Sequence, residues 1–381
     1  MKLKKLILPG SMLLVAAAVI ISSIFWRQTT TLKIQNAADR SQISQLNEKI
    51  DELQNEDQRQ VNKKLKETLL QMQTSFKKSI SVYENLVDLH ILSKSAAKLD
   101  TDFANALNLV AASNYASGSA KLDQLAKDIA AEKQKLTVLP TNIPAPVNNT
   151  PPSSGYSIQS VQTGVGTFVV NIISADLAST KVIVDTASES DCVHNCPVLP
   201  LGTYVARSGA YAGVNGSYFC PATYPTCAGK TNSFDLLVMN KNKHYFNSDN
   251  NVYSNNPAVI FGSGYIRFVG SASEWGRDTG IDGVLSNYPL LVRGGSVTFG
   301  GNDDPKQGSA GNRSFVAHRG NTIYIGVVRG VTVVQMAHVM KTLGMDDALN
   351  LDDGGSTALW SGGYKVGPGR DLPNVILFVR K

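Results

Sequence analysis

Hydrophobic and polar positions divide the chain into four stretches. Residues 6–26 carry no charge, and at 1.5 Å per residue a helix of that length spans a hydrocarbon core. Lys2, Lys4 and Lys5 precede it and fewer basic residues follow (Arg27, Lys33), which predicts a cytoplasmic N-terminus. A cleaved signal peptide is the competing reading. The length of the apolar region and the lack of a small-x-small site after it favour an uncleaved, single-pass signal anchor over residues 1–29.

Residues 30–136 are rich in Lys, Glu, Gln, Ala and Leu and contain no proline. Ile43, Leu46, Ile50 and Leu53 alternate steps of three and four, an a/d seam. Val61, Leu65, Leu69, Met72, Phe76 and Ile80 continue the stripe with a phase shift, and a second helical stretch covers 96–110. A break is expected at 114–119, after which Leu122, Leu125, Ile129 and Leu136 resume the pattern. The break permits a folded-back hairpin. A helical spacer or coiled-coil stalk is predicted, with a homo-oligomer through the stalk as the partner it would recruit. Pro140, Pro144, Pro146, Pro151 and Pro152 then mark residues 137–155 as an extended linker.

From residue 156 the period changes to that of strands: 167–173, 182–184, 258–261, 266–269, 314–317, 322–328 and 375–379. A helix is predicted over 331–343, closed by Gly344, and a shorter one near 203–207. Many strands and few helices give an α+β class with a mixed sheet over 156–381.

Charge and cysteine content refine this picture. The net charge of +6 belongs to the N-terminal part, because residues 156–381 hold 17 basic and 16 acidic residues. There is no basic stripe interleaved with aromatics, so nucleic acid is not an expected partner. Cys192, Cys196, Cys220 and Cys227 are an even set in the C-terminal part and suggest two disulfides formed in an oxidising compartment. Local pairing is the simplest of three arrangements. The spacings fit zinc motifs poorly.

The chemistry concentrates in Asn350-Leu351-Asp352-Asp353-Gly354-Gly355-Ser356-Thr357. A short apolar segment delivers two acids onto a Gly-Gly turn, where bare N–H groups can form an anion cradle. Alone, such a run is a tight surface turn; its surroundings say more. With this segment, Ala212-Gly213-Val214-Asn215-Gly216-Ser217-Tyr218-Phe219, Tyr288-Pro289-Leu290-Leu291-Val292-Arg293-Gly294-Gly295, Asn312-Arg313-Ser314-Phe315-Val316-Ala317 and Gly369-Arg370-Asp371-Leu372-Pro373-Asn374 give a domain that resembles the phosphodiester glycosidase family. The resemblance covers most of residues 156–381 and nothing before. Three positions depart from the family pattern: Asp353 and Ala317 stand where glycine is usual, and Asn312 where proline is.

The resemblance implies hydrolysis of a sugar-1-phosphodiester. A phosphate monoester anion is a good leaving group, so charge neutralisation and oxocarbenium stabilisation matter more than general-acid help. Asp352 is then the acid at the anomeric carbon, as nucleophile or as base for water. Arg313 is the phosphate clamp, and Asn215 bonds a sugar hydroxyl or phosphate. Arg293, Asp353, Gly354, Gly355, Ser356, Ser217, His318 and Arg370 are candidate substrate contacts. In an extended chain Asp352 and Asp353 point apart, and only a turn lets both face a substrate. No cofactor or metal is required, although the Asp352/Asp353 pair could accommodate a divalent cation. His90, His194, His244 and His338 belong to no constellation.

The expectation is therefore a membrane-tethered, extracytoplasmic hydrolase of the cell envelope acting on a surface glycan or glycoconjugate, with a bacterial envelope fitting best. The alternatives are a non-catalytic envelope module that binds polysaccharide and a metal-dependent hydrolase using Asp352 and Asp353.

Overall fold

The computed structural model describes residues 7–93, 96–137, 146–248, 254–276, 280–301 and 304–381. Lys2, Lys4, Lys5, Pro140 and Pro144 lie outside them. The chain divides into two compact units, Met1–Gln73 and Thr74–Lys381.

The described part of the first unit is helix α1 (Ile7–Leu92), which continues into the second. The expected membrane anchor is corrected here: among the described residues no helix is long and apolar enough to cross a membrane. Pro9, Gly10 and Ser11 dilute the apolar run at its start, Ser22 and Ser23 near its end, and from Arg27 onward the helix is polar. The unbroken apolar stretch 12–21 covers only about 15 Å, half a hydrocarbon core. The single-pass topology, the membrane partner and the tethered localisation fall with it. Ile43, Leu46, Ile50 and Leu53 are exposed on α1; no second strand of a coiled coil packs on them within the described chain.

In the second unit the last turns of α1 pack with α2 (Ala97–Ala111) and α3 (Tyr115–Thr137) around Val82, Leu86, Leu89, Val110, Leu122, Leu125 and Ile129. The break between α2 and α3 is shorter and earlier than expected, with Ser113 at φ 61°. Gly118 lies inside α3, where a Cβ would sit 2.7 Å from Val110 Cγ2; the glycine lets the two helices approach. α3 also contacts the β-domain.

That domain is built from three sheets. The largest runs β1 (Gly155–Thr163), β2 (Gly166–Asp176), β13 (Thr322–Val331), β12 (Gly311–Arg319), β14 (Asp347–Asp353), β10 (Leu290–Arg293), β11 (Ser296–Val297). The second runs β16 (Tyr364–Val366), β15 (Leu359–Ser361), β4 (Ala212–Asn215), β17 (Asn374–Arg380), β3 (Thr180–Thr186). The third runs β6 (Tyr245–Phe246), β5 (Val238–Met239), β9 (Gly283–Ser286), β7 (Ala258–Gly262), β8 (Tyr265–Val269). The pairs named in these sheets are antiparallel, which corrects the expected mixed sheet. Hairpins such as β1–β2 and β12–β13 impose that direction, and the β13-to-β14 connection steps across β12 instead of pairing β13 with β14.

Inner faces of all three sheets share one core that includes Ile173, Val184, Val214, Val259, Leu285, Val316, Leu349 and Ile376. The outer face of the largest sheet is covered by α6 (Val333–Thr342) through Met336, Ala337, Val339 and Met340. Thr332 and Gln335 form its capping box, each side chain receiving the other's backbone N–H, at 3.2 and 2.9 Å. Helix α4 (Leu201–Ser208) covers the second sheet through Leu201, Tyr204 and Val205. A one-turn helix, α5 (Pro305–Gly308), precedes β12. Both disulfides are local, Cys192–Cys196 and Cys220–Cys227.

Candidate active site

The start of β12, the end of β14 and the segment after β4 meet at one cavity of about 200 Å³. An irregularity in the β12–β14 ladder shapes it. Arg313 pairs with Asp353 and Phe315 with Asn350, so two residues of β14, Leu351 and Asp352, oppose one of β12, Ser314. Such a bulge re-aims side chains, and Asp352 and Asp353 both line the cavity although they are adjacent on a strand.

Asp352 is held at its main chain. Its N–H donates to Gly216 O at 2.9 Å and its carbonyl accepts the Asn215 amide at 2.6 Å. Asn215 Oδ1 in turn accepts from Ser314 Oγ at 2.6 Å and Ala358 N at 3.1 Å. Asn215 is thus a buried junction between two sheets. Gly216 permits this closeness, because a Cβ there would meet Asn374 Oδ1 at 1.9 Å. Asn374 Oδ1 accepts the Ser217 N–H at 2.8 Å, and Asn374 Nδ2 donates to Ser217 Oγ at 3.0 Å.

Burial, then the neighbouring Asp353 charge, pushes the Asp352 carboxyl up to about 7. The Ser356 hydroxyl and Arg370 oppose that rise. Ser356 Oγ is buried and meets no partner at hydrogen-bonding geometry, yet it lies near enough to Asp352 to favour the charged form. Burial also raises the Asp353 carboxyl, and the Arg313 guanidinium pulls it back. Arg313 is ion-paired with Asp353 and buried. Its Nε donates to Val331 O at 3.0 Å, and its Nη2 donates to Lys306 O and Ser309 O, each at 2.7 Å. The guanidinium therefore ties α5 to β12 and answers the charge of Asp353.

Asp352, Asp353, Arg313, Gly354, Gly355 and Arg370 all line the cavity. Asn215, Ser217 and Ser356 are buried beside it and are not in its lining. Two candidates lie elsewhere. Arg293 pairs with Glu274 at 3.6 Å. His318 is five residues along β12 from Arg313, roughly 17 Å away, where its Nε2 is 2.8 Å from Asp347 and its ring stacks on Phe268. Burial lowers the His318 pKa, but the bonds and charge of Asp347 outweigh it and the net shift is upward.

Several lining residues escape sequence reasoning. Tyr218 accepts from Asn350 Nδ2 at 2.6 Å and donates toward Asp353 Oδ2 at 3.5 Å; burial drives its phenol well above the ordinary value. Tyr288 packs on it at 5.0 Å between centroids. Both tyrosines lie within the segments that carry the family resemblance, so their signal was present. Lys306, Tyr224, Glu84, Asp88 and Lys133 also line the cavity, and they come from a structureless loop or from polar positions on helices. Among the described residues no group of three or more His, Cys, Asp or Glu side chains is placed to hold a metal ion.

No curated protein matches the chain. Two solved structures are similar to it at 16% identity. One is a hypothetical protein from Synechocystis, with a TM-score of 0.46, covering 59% of this chain and 62% of that one. The other is the catalytic domain of zebrafish N-acetylglucosamine-1-phosphodiester alpha-N-acetylglucosaminidase, auto-inhibited by pro-peptide, with a TM-score of 0.48, covering 63% of this chain and 87% of that one. The chain spans less than two thirds of the Synechocystis protein. The phosphodiester glycosidase family model matches residues 208–379. That match runs from the end of α4 through β17 and includes both carboxylates of the cavity, so it is this part of the chain that is similar to the phosphodiester glycosidase family.

Proposed function

We propose that this domain hydrolyses the bond between an anomeric carbon and phosphate in a surface glycan or related glycoconjugate, outside the cytoplasm. One observation carries the reading. Asp352 is a buried carboxyl fixed at a strand tip, lining a cavity, with a pKa of about 7. An acid so poised exchanges protons efficiently near neutrality.

In this mechanism Asp352, ionised, takes a proton from water as the water oxygen bonds to the anomeric carbon. The carbon–oxygen bond to phosphate breaks, and its electron pair leaves with the phosphate monoester. Developing positive charge on the sugar is met by the two acids. Arg313 holds Asp353 in place and keeps part of that charge available. The two disulfides suit an oxidising compartment.

The test is to incubate the full-length protein with a panel of sugar-1-phosphodiesters and measure free sugar, with and without chelator. Wild type releases sugar and Asp352→Asn does not, while both melt as folded proteins. Undiminished release by Asp352→Asn refutes the mechanism.

A further inference from the structure

Part of the cavity's charge is not used by that chemistry. Asp88, near the end of α1, accepts from the Tyr224 hydroxyl at 2.8 Å, is ion-paired with Arg370, and lies 3.6 Å from Lys133 Nζ. Glu84, one helical turn earlier on the same face, accepts from Lys306 Nζ at 2.8 Å and from the Thr226 hydroxyl. Their side chains are 3% (Glu84) and 11% (Asp88) exposed.

Lys133 belongs to α3, and the other groups that receive these carboxylates come from separate segments of the β-domain. The Tyr224 ring lies against both cations, with Lys306 Nζ 4.8 Å and Arg370 Cζ 4.9 Å from its centroid. Arg370 Nε is buried and has no partner, and the Arg370 N–H donates to Gly355 O at 2.9 Å, which anchors it beside the acid-bearing turn. Two cations and a phenol that line the cavity, with the Thr226 hydroxyl reaching Glu84 beside them, are the donors a phosphate group requires. Two buried carboxylates on a helix are tolerated only because those donors are there. Asp88 also lies against the glycine turn: a Cβ on Gly355 would meet Asp88 Oδ1 at 2.9 Å and Arg370 Nη2 at 2.4 Å.

We propose that Lys306, Arg370, Tyr224 and Thr226 form a phosphate subsite next to Asp352, and that Glu84 and Asp88 occupy it as internal anions in this conformation. The assignment rests on the hydrolase reading for its substrate but is tested apart from turnover. A phosphate ligand and the two carboxylates compete for the same donors, so the end of α1 must yield when the ligand enters.

Inorganic phosphate is titrated calorimetrically into the full-length wild type, Asp88→Asn, Glu84→Gln/Asp88→Asn, and the last combined with Lys306→Met. The double variant is expected to bind phosphate at least tenfold tighter than wild type, Asp88→Asn to show an intermediate gain, and Lys306→Met to abolish the gain. Equal affinity across the set, or a gain that survives Lys306→Met, overturns the subsite. Should the variants fail to fold, hydrogen exchange on wild type decides: saturating phosphate must speed exchange at residues 84–92, and unchanged exchange there overturns the proposal. Phosphate binding as expected without sugar release in any variant would sink the hydrolase reading and leave the subsite standing. Sugar release with unaltered phosphate affinity would do the reverse.

Discussion

The side-chain amide of Asn215 donates to the main-chain carbonyl of Asp352 at 2.6 Å, joining the ends of two sheets at the acid that carries the proposed chemistry. The expected role of Asn215 was contact with the ligand. Its geometry makes it a positioning residue. Asn215→Ala strands the Asp352 carbonyl, the Ser314 hydroxyl and the Ala358 N–H in a buried place. The cost is about 2–4 kcal/mol, read as a lower midpoint in urea unfolding, with kcat falling more than KM rises.

Asp352 makes stability and activity move oppositely with pH. Its folded pKa of about 7 lies above the ordinary carboxyl value of 3.8, so the native state binds more protons than the unfolded chain between those values. Stability therefore falls as pH rises from about 4 to 7, while activity that depends on the ionised acid rises through about 7. Asp352→Asn should flatten that part of the stability profile and lower turnover by roughly 10²–10⁴-fold. Parallel thermal melts and rate measurements from pH 4 to 8 check both.

Asp353→Asn removes the like charge beside Asp352 and leaves Arg313 without its ion-pair partner. Both changes favour ionised Asp352, so the acid limb of the pH–rate profile should move to lower pH. A limb that stays in place or moves up would show that the two carboxyls do not sense each other.

Gly216→Ala puts a methyl 1.9 Å from Asn374 Oδ1 and 2.8 Å from Asn374 O. Overpacking against main chain typically costs about 1–3 kcal/mol, and the variant should lose that much in chemical denaturation. Gly209→Ala, where a Cβ meets nothing within 4 Å although φ is 60°, should cost less.

Much of the β-domain was legible because its strands are apolar and regular. The segments 167–173, 314–317, 322–328 and 375–379 fall within β2, β12, β13 and β17, and α6 announced itself through its stripe and Gly344. Short glycine-bounded strands such as β15 and β16 carry no such period. At the site, Asp352 and Arg370 were visible through a turn and its neighbours. The double facing of Asp352 and Asp353 was not, because a bulge depends on how β14 registers against β12. Glu84 and Asp88 read as an ordinary solvated helix face, since pairing with Thr226, Lys306 and Arg370 is fixed only by tertiary packing. The apolar start of the chain was over-read, its run being broken by Pro9, Gly10 and Ser11.

The extra residue in β14 has a consequence for engineering. A strand of even pleat would send one of two successive acids outward, so deleting Leu351 should halve the acidity of the chamber without altering any side chain that remains. Backbone length, as much as the choice of amino acids, is then the dial by which this scaffold sets how many protons its interior can trade.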